Sequence, residues 1–265
     1  MNPRFPVLIY HGIVGGRVSP VKYSGKYVIS EQKFVEQLDE IRNQNLAVVS
    51  LKAAWSNGKS TVQARGPLVL TFDDGLASNY EIAFPLLLRQ GMEADFFINP
   101  AAIGKTGYLS WQEIASMQRF GMSFHSHSQE HIDLTRLPLE LLTEHLRVSK
   151  RSLEDRLGCS VDFLAAPYGL LNGRVVDVAA QEGYLAVCNS VSEPTMARAR
   201  SINRIAVYRH TPMPIFRQIL RQRPFPFSVR KVRSALLYLP KQLLLRCQPS
   251  WLGVTVSESH IEFHH

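Results

Sequence analysis

The chain of 265 residues alternates short apolar runs with segments of helical periodicity, and this alternation limits its fold more than any other feature. The pattern is typical of repeated β-α units that build a mainly parallel sheet or barrel. A chain of this length commonly forms one such domain. We therefore predict an α/β fold with strands at Val7–Tyr10, Leu46–Val49, Leu68–Phe72, Ala94–Ile98, Met122–Phe124, Phe163–Ala165, Leu185–Cys188 and Ile205–Tyr208.

Helix signals lie between these runs. Serine followed three residues later by glutamate has the spacing of a capping box, and glycine after an apolar-periodic segment is typical of a helix end. The predicted signals are the helix face Phe34, Leu38 and Ile41, the capping pairs Ser78–Glu81 and Ser110–Glu113, a long helix from about Leu139 to Leu157 that stops at Gly158, and a helix from Asn172 to near Gly183.

Two adjacent carboxylates end the apolar run Leu68–Phe72. Asp73 and Asp74 follow the run directly, and Gly75 comes next. Functional groups of β-α architectures gather at the carboxyl ends of strands, so both acids are predicted to lie at that edge. Two like charges in a partly buried place raise each other's cost of ionisation unless a cation lies beside them. The pair therefore indicates a metal site.

Three histidines follow another predicted strand, in the segment "FHSHSQEHIDL". His127 and His131 have i, i+4 spacing, which brings two imidazoles to one side of a helical turn or tight loop. With one carboxylate they make three protein ligands and leave a coordination position open. His125 lies two residues before His127 and is predicted to be a satisfied core histidine or a partner behind the ligands.

The motifs "TFDDG", "HSQEH" followed by "IDL", and "APYG" occur in that order. In this combination the chain from about Val7 to Tyr208 resembles the polysaccharide deacetylases, the NodB-like carbohydrate esterase family four. The resemblance implies a distorted β/α barrel and a divalent metal, usually Zn2+, held by one aspartate and two histidines. We expect a barrel over residues 1–210 and a basic extension over 211–265, packed on the barrel or on a membrane surface.

The same resemblance assigns roles to residues by their position in the motifs. It implies that Asp73 is the catalytic base and that Asp74, His127 and His131 are the metal ligands. "PYG" implies that Pro167 and Tyr168 lie at the substrate and that the backbone N–H of Tyr168 helps to bind the oxyanion.

Two histidines are candidates for the general acid that protonates the amine leaving group. In most of the family this acid lies late in the chain, where "VYRH" offers His210. "PVLIYHGI" resembles instead the opening of the subgroup that includes the poly-N-acetylglucosamine deacetylases, in which the acid comes first. We therefore favour His11, with a buried structural histidine as the alternative interpretation.

One position departs from the family pattern. The family motif carries an arginine two residues before its Pro-Tyr, where it orients the catalytic aspartate; this chain has Ala165 there. Arg204, in "SINRIAVY", is the candidate replacement by its resemblance to an arginine of the same subgroup, and we group it with the substrate-site residues. A surface ion pair is the alternative for Arg204. Without a cation beside Asp73, weak or absent catalysis would be expected.

Composition bears on location and partners. Cys159, Cys188 and Cys247 form no CxxC pair, which argues against a disulfide framework and a thiolate zinc site. The N-terminal residues show no apolar leader with a cleavage pattern, and no stretch is long and apolar enough to be a clear membrane span. We therefore expect a cytoplasmic protein, with peripheral attachment to the inner membrane face as an alternative. The sequence does not specify the oligomeric state.

The positive charge is concentrated in the last quarter of the chain. Pro194 to Ser257 holds twelve Arg or Lys and no Asp or Glu, while the other residues hold 18 basic and 22 acidic groups, a net of about −4. Basic residues interleaved with Phe, Leu and Tyr favour an anionic membrane surface, and a solvated charged face is the alternative. Nucleic acid is not expected as a partner, because no recognition motif accompanies the charge.

The residues and the resemblance together predict a metal-dependent carbohydrate N-deacetylase, an amide hydrolase. The expected substrate is an acetamido sugar of a polysaccharide or of a lipid-linked glycan precursor. Two alternatives stay open at this point. One is a carbohydrate-binding homologue with weak or no activity, and the other is a deacylase or deformylase for another N-acyl sugar.

Overall fold

The computed structural model describes residues 4–15, 25–57 and 67–222. The α-helices in these ranges are α1 (Glu31–Asn43), α2 (Leu51–Asn57), α3 (Phe84–Gln90), α4 (Trp111–Arg119), α5 (Leu139–Leu157), α6 (Gly173–Gln181) and α7 (Met213–Leu220). The strands are β1 (Arg4–Phe5), β2 (Val7–Tyr10), β3 (Ile13–Val14), β4 (Ile29–Ser30), β5 (Val69–Phe72), β6 (Asp95–Ile98), β7 (Ser123–Ser126), β8 (Phe163–Ala165), β9 (Ala186–Cys188), β10 (Thr195–Met196), β11 (Ser201–Ile202) and β12 (Ile205–Ala206).

Eight of these strands form one parallel sheet in the order β11-β9-β8-β7-β6-β5-β2-β12. Successive side chains of a strand point to opposite faces, so the sheet separates two apolar clusters. The larger cluster packs one face against the helices. The smaller lies on the other face, and Val69, Phe97, Phe163 and Cys188 belong to it. The predicted α/β fold, a distorted β/α barrel of the NodB type, is confirmed.

The two edge strands of this sheet are neighbours along the chain. Only Asn203 and Arg204 separate β11 from β12. Three peptide units span at most about 11 Å, so the sheet has to curl until its edges nearly meet. Arg204 therefore lies at the seam of the barrel, and its side chain is fully buried.

The guanidinium of Arg204 bonds to groups from both sides of the seam. It forms a bidentate ion pair with Asp73, with Nη1–Oδ1 at 2.7 Å and Nη2–Oδ2 at 2.8 Å. It also donates to Thr71 Oγ1 at 3.2 Å and to the Asn189 carbonyl at 3.3 Å. Its central carbon lies 4.8 Å from the centroid of the Phe97 ring. The seam is thus closed around a buried, paired charge.

The turn after β5 has a left-handed backbone at two successive positions. Asp74 has φ = 75° and Gly75 has φ = 67°. A Cβ on Gly75 would lie only 2.8 Å from Cγ2 of Ile98 in β6. Gly75 therefore meets two demands, for a positive φ and for close approach to the neighbouring strand.

Most predicted elements are present, and the exceptions have local causes. Leu46–Val49 was wrong as a strand: Val48 makes only an isolated bridge to Leu68, because the segment is confined between a left-handed Asn45 and α2. The Ser110–Glu113 capping box is confirmed.

The predicted Ser78–Glu81 capping box was wrong. Ser78 makes no cap bond; its hydroxyl accepts from Ile13 N–H at 3.2 Å, and a π-helical turn, Asn79–Ala83, follows.

The predicted basic extension, residues 211–265, is described only as far as residue 222. This part contains α7, whose Phe216, Ile219 and Leu220 are buried in the larger apolar cluster. The remainder lies outside the described residues, so its association with a membrane surface stays a prediction. None of the described helices combines the length and apolarity needed to cross a bilayer.

Two glycine substitutions separate the demands on Gly75. Gly91 has a similar φ of 63°, but a Cβ there would meet no atom within 4 Å. We expect Gly91→Ala to lower the free energy of unfolding by about 1 kcal/mol for the left-handed backbone. Gly75→Ala should cost about 1–3 kcal/mol more, because Ile98 has to move. Urea unfolding of the metal-free proteins measures both, and equal losses would contradict the close approach.

Breaking the seam pair should be costly. We expect Arg204→Met to lower the free energy of unfolding by about 3–5 kcal/mol, because it leaves the Asp73 carboxylate buried without its partner. Adding Asp73→Asn should recover part of that loss. Arg200→Met is the matched control, since Arg200 pairs with Asp177 at the surface. Additive losses in the double variant would show that the two groups are not coupled.

Candidate active site

Four chain segments bring the predicted site residues to the carboxyl edge of the sheet. His11 follows β2, Asp73 and Asp74 follow β5, His127 follows β7, and Tyr168 lies just after β8. Since all these strands are parallel, their carboxyl ends meet at one side of the barrel. The sheet order places β2 and β7 on opposite sides of β5 and β6, so the aspartates lie between His11 and His127.

Three side chains at this edge have the spacing of a metal-ligand set. Asp74 Oδ1 lies 3.4 Å from His127 Nε2 and 3.6 Å from His131 Nε2. One ligand atom from each of the three residues lies within 4.8 Å of the others. Two ligands at ordinary bond lengths from a tetrahedral zinc ion are about 3.3–3.4 Å apart. The two distances from Asp74 are thus close to the spacing of ligands around a small divalent cation.

The polar atoms of this set also fit a cation. Asp74 Oδ1 is buried and has no hydrogen-bond partner among the described residues, which is costly for a carboxylate oxygen unless a cation binds it. Burial alone would raise the pKa of Asp74, but the imidazoles of His127, His11 and His131 hold that pKa well below its usual range. Asp74 is therefore ionised at neutral pH, as a carboxylate ligand of a metal ion has to be.

His127 is oriented by a backbone carbonyl. Its Nδ1 lies 2.9 Å from the carbonyl oxygen of Ala165, so Nδ1 carries the proton and donates it there. Nε2 therefore lies on the side of Asp74 and is the ring nitrogen available to a metal ion. Burial favours the neutral ring, but the contacts with Asp74 and Asp73 raise the pKa of His127. Ala165 occupies the position of the family's arginine. It thus contributes its backbone carbonyl to the site.

The loop that carries the histidine ligands is held by Asn99. The Asn99 side-chain amide donates to the carbonyls of His127 and Ser128, the second at 3.2 Å. Ser128 itself is left-handed, with φ = 67°, and its N–H donates to Ser126 Oγ at 3.0 Å. Sequence reasoning missed Asn99, because a lone asparagine after a predicted strand carries no motif.

Asp73 is held apart from this ligand set by Arg204. Both carboxylate oxygens accept from the guanidinium, and the ion pair is buried. Burial alone would raise the pKa of Asp73, but Arg204 and His127 lower it below its ordinary value. Arg204 thus lies where a cation for Asp73 was predicted and is not a surface ion-pair residue. Full burial also removes it from substrate contact, so its place is behind Asp73 and not on the substrate side.

His11 lies on the opposite side of Asp73 from the ligands. Its ring packs on Tyr27, with centroids 4.8 Å apart, and its carbonyl accepts from Asn79 Nδ2 at 2.8 Å. Burial lowers the pKa of His11, while the charges of Asp73 and Asp74 oppose that shift. His210, the other candidate acid, is exposed in the turn after β12, and no described hydrogen bond or ion pair joins it to the aspartates.

Tyr168 covers the ligand side of the site. Its ring is 64% exposed and meets the His131 ring edge-on at 4.4 Å, and its hydroxyl donates to the His131 carbonyl at 3.4 Å. Its backbone is left-handed, with φ = 59°, while Pro167 before it is buried. Tyr168 thus lies at the open rim of the site, and Pro167 lies beneath.

His125 is outside this group. Its Nε2 lies 3.1 Å from Asp95 Oδ1, and its ring packs between Phe97 and Phe163 on the inner face of the barrel. Asp95 also accepts from Leu51 N–H at 2.8 Å. His125 is therefore a core histidine paired with a carboxylate, one of the two placements expected from the sequence.

Comparison with known proteins agrees with this geometry. Residues 61–187 match the family model described as polysaccharide deacetylase. YxkH of Bacillus subtilis (strain 168) is 24% identical over 185 residues, which are 68% of this chain and 62% of YxkH. The poly-beta-1,6-N-acetyl-D-glucosamine N-deacetylase of Staphylococcus aureus (strain MRSA252) is 22% identical over 171 residues, 59% of each chain. The chain thus spans about three fifths of the length of these relatives.

Solved structures share the fold. The Streptococcus pyogenes deacetylase PplD, solved in complex with acetate, superposes with a TM-score of 0.75 at 23% identity and covers 84% of this chain and 100% of its own. IcaB from Ammonifex degensii superposes with a TM-score of 0.69 at 23% identity and covers 83% of this chain and 97% of its own. Residues 61–187 thus resemble the polysaccharide deacetylase family, and the solved structures show that the chain shares the fold of these deacetylases.

Proposed function

We propose that the protein is a metal-dependent hydrolase that removes the N-acetyl group from an acetamido sugar. The observation that carries this proposal is that two neighbouring carboxylates have different partners. Asp74 faces His127 and His131 with an unpartnered oxygen, while Asp73 is fixed by Arg204. The set fits a divalent cation, and Zn2+ is the ion that we propose. Bound there, the ion would supply Lewis-acid activation of water and of the amide carbonyl.

In this proposal Asp73 is the general base. It is ionised at neutral pH, and each of its oxygens keeps a lone pair after accepting from Arg204. Asp73 takes the proton of the water that attacks the acetamide carbonyl. The backbone N–H of Tyr168 donates to the carbonyl oxygen as negative charge develops on it.

His11 supplies the proton that the amine needs in order to leave. An amine is a poor leaving group, so breaking the C–N bond requires a proton donor. Burial lowers the pKa of His11, and the charges of Asp73 and Asp74 oppose part of that shift in favour of the protonated form. With base and acid on different strands, proton removal and proton delivery take place on opposite sides of the reacting carbon.

The alternative of an inactive carbohydrate-binding homologue was motivated by Ala165 and by the uncertain general acid. Arg204 pairs with Asp73 directly, which answers the first reason. The assay of acetate release tests the second. The identity of the acyl group that is removed has to be found by assay. An N-formyl donor therefore belongs in the panel beside N-acetyl donors, because the catalytic groups would act on either amide.

The proposed substrate carries an anionic group near the acetamido sugar, such as the phosphate of a lipid-linked precursor. Two cationic side chains flank the His11 side of the site. Lys26 Nζ lies 4.8 Å from the Tyr27 ring centroid, and Arg209 Nη1 comes within 3.4 Å of the Cβ position of neighbouring Gly25. Both residues are exposed, and arginine with lysine is a usual pair for binding phosphate. The S. aureus relative, named for poly-N-acetylglucosamine, favours glucosamine as the sugar.

The carboxylate roles predict opposite outcomes for two adjacent substitutions. Asp73→Asn should lower turnover about 10²–10⁴-fold, because the base is lost, while one zinc per chain remains bound. Asp74→Asn should lose the zinc itself, because a charged ligand becomes neutral. Zinc content after dialysis and acetate release from chitooligosaccharides measure the two effects separately. Loss of zinc in Asp73→Asn, or its retention in Asp74→Asn, would contradict the assignment.

The cationic rim predicts a preference for phosphorylated substrates. Lys26→Met with Arg209→Met should raise KM about 10-fold for a polyprenyl-phosphate-linked N-acetylglucosamine, since each contact to a charged group is worth about 1.5–3 kcal/mol at best and less when exposed. The KM for a neutral chitooligosaccharide should not change. Arg119→Met is the control, because exposed Arg119 ends α4 at the amino edge of the sheet. Equal changes for both substrates would contradict an anion site.

A further inference from the structure

Among the described residues, ring packing is the contact that holds the imidazole of His11. Its Nδ1 is buried and has no hydrogen-bond partner in the described part of the chain. A histidine that transfers protons is usually oriented by a partner on its second nitrogen. Here the contact in the corresponding role is the Tyr27 ring, 4.8 Å from the His11 ring at an interplanar angle of 38°.

The strand pairing sets Tyr27 opposite His11. In the parallel pair β3–β4, Ile13 lies opposite Ile29 and Val14 opposite Ser30, a constant separation of sixteen residues along the chain. Extending that register by two residues toward the N-terminus places Tyr27 beside His11. Ile29 N–H donates to the Gly12 carbonyl at 3.1 Å, which ties the two segments together next to the site.

A second tyrosine supports the first. In the β12–β2 pair, Ala206 lies opposite Ile9, and extending that register by two residues places Tyr208 beside His11. The Tyr27 and Tyr208 rings are 5.6 Å apart, and Arg209 N–H donates to the Lys26 carbonyl at 2.9 Å. Tyr27 is thus held between the end of β12 and the start of β4.

We infer that Tyr27 is a positioning residue for His11: its ring fixes the imidazole so that Nε2 faces the reacting amide, and Tyr208 supports it from behind. This inference rests on the proposed function, in which His11 protonates the amine. The pKa of Tyr27 is raised by burial and by the charge of Asp74, which agrees with a phenol close to the ligands. The role belongs to the ring, since packing of two planar groups does not need the hydroxyl.

The test compares two substrates that differ in their need for an acid. A chitooligosaccharide amide requires protonation of its leaving amine, whereas 4-nitrophenyl acetate loses a stable phenolate and requires none. In the zinc-loaded protein, Tyr27→Leu should lower kcat for the amide roughly 10- to 100-fold, since small displacements of a catalytic group have effects of this size. The kcat for the ester should change less than about 3-fold, and Tyr27→Phe should restore amide turnover to near the parent level.

Trp55→Leu is the matched control. Trp55 is also half-buried and meets a ring edge-on, that of Phe163 at 6.1 Å, but its carbonyl accepts from the N–H of Arg198, which precedes β11 at the amino edge of the sheet. Its amide-to-ester ratio should equal that of the parent. Equal loss of amide and ester turnover in Tyr27→Leu would assign Tyr27 a merely structural role and overturn the inference, as would full amide turnover in that variant.

A readout without activity separates this inference from the proposed function. NMR of the His11 ring protons reports the shielding by Tyr27 and the number of ring orientations. We expect these resonances to shift and broaden in Tyr27→Leu and to stay near the parent positions in Tyr27→Phe. If the parent releases no acetate, the proposed function fails, but the NMR result still shows whether Tyr27 orients the His11 ring. Unchanged His11 resonances in Tyr27→Leu would overturn the inference that Tyr27 positions His11.

Discussion

The ion pair between Arg204 and Asp73 is the interaction on which the site and the barrel both depend. Removing two charges from water costs several kcal/mol per ion, so such a pair persists only with good geometry and further bonds. Here the ion pair is bidentate. Thr71 and the Asn189 carbonyl accept further hydrogen bonds from the guanidinium, and the Phe97 ring packs against it. These partners come from strands on both sides of the seam, so the curl of the sheet and the position of the Asp73 carboxylate are fixed together.

The same pair explains why adjacent aspartates take different roles. Both oxygens of Asp73 are engaged by the guanidinium, which neutralises its charge and holds it against the barrel interior. Asp74, one residue later, turns into the left-handed region and directs an unpartnered oxygen toward two imidazoles. A cation at that oxygen would meet one carboxylate and two imidazoles, and Asp73 would stay outside this ligand set, as the proposed roles require.

The sequence predicted the parts of the molecule that local patterns specify. Buried parallel strands read as apolar runs, and polar residues follow them directly, so the aspartate pair and the two histidines were expected at one edge of the sheet. The choice of Asp74 as the candidate ligand came from the resemblance to the deacetylases. Leu46–Val49 has the same composition but too little room for a ladder. Asn99 and Tyr27 were missed for a different reason. Their importance comes from contacts across 28 and 16 residues of chain, and it depends on strand register, which no single segment encodes.

The backbone of the site is conformationally strained where its functional groups lie. Asp74, Ser128 and Tyr168 are all non-glycine residues with positive φ, and each follows a strand of the barrel. Such conformations cost on the order of 1–3 kcal/mol each and persist only where the surroundings enforce them. Asn99 bonds the carbonyls of His127 and Ser128, and Gly75 allows the turn at Asp74 to approach Ile98. The sheet thus offsets the strain of three loops that carry the candidate ligands and Tyr168.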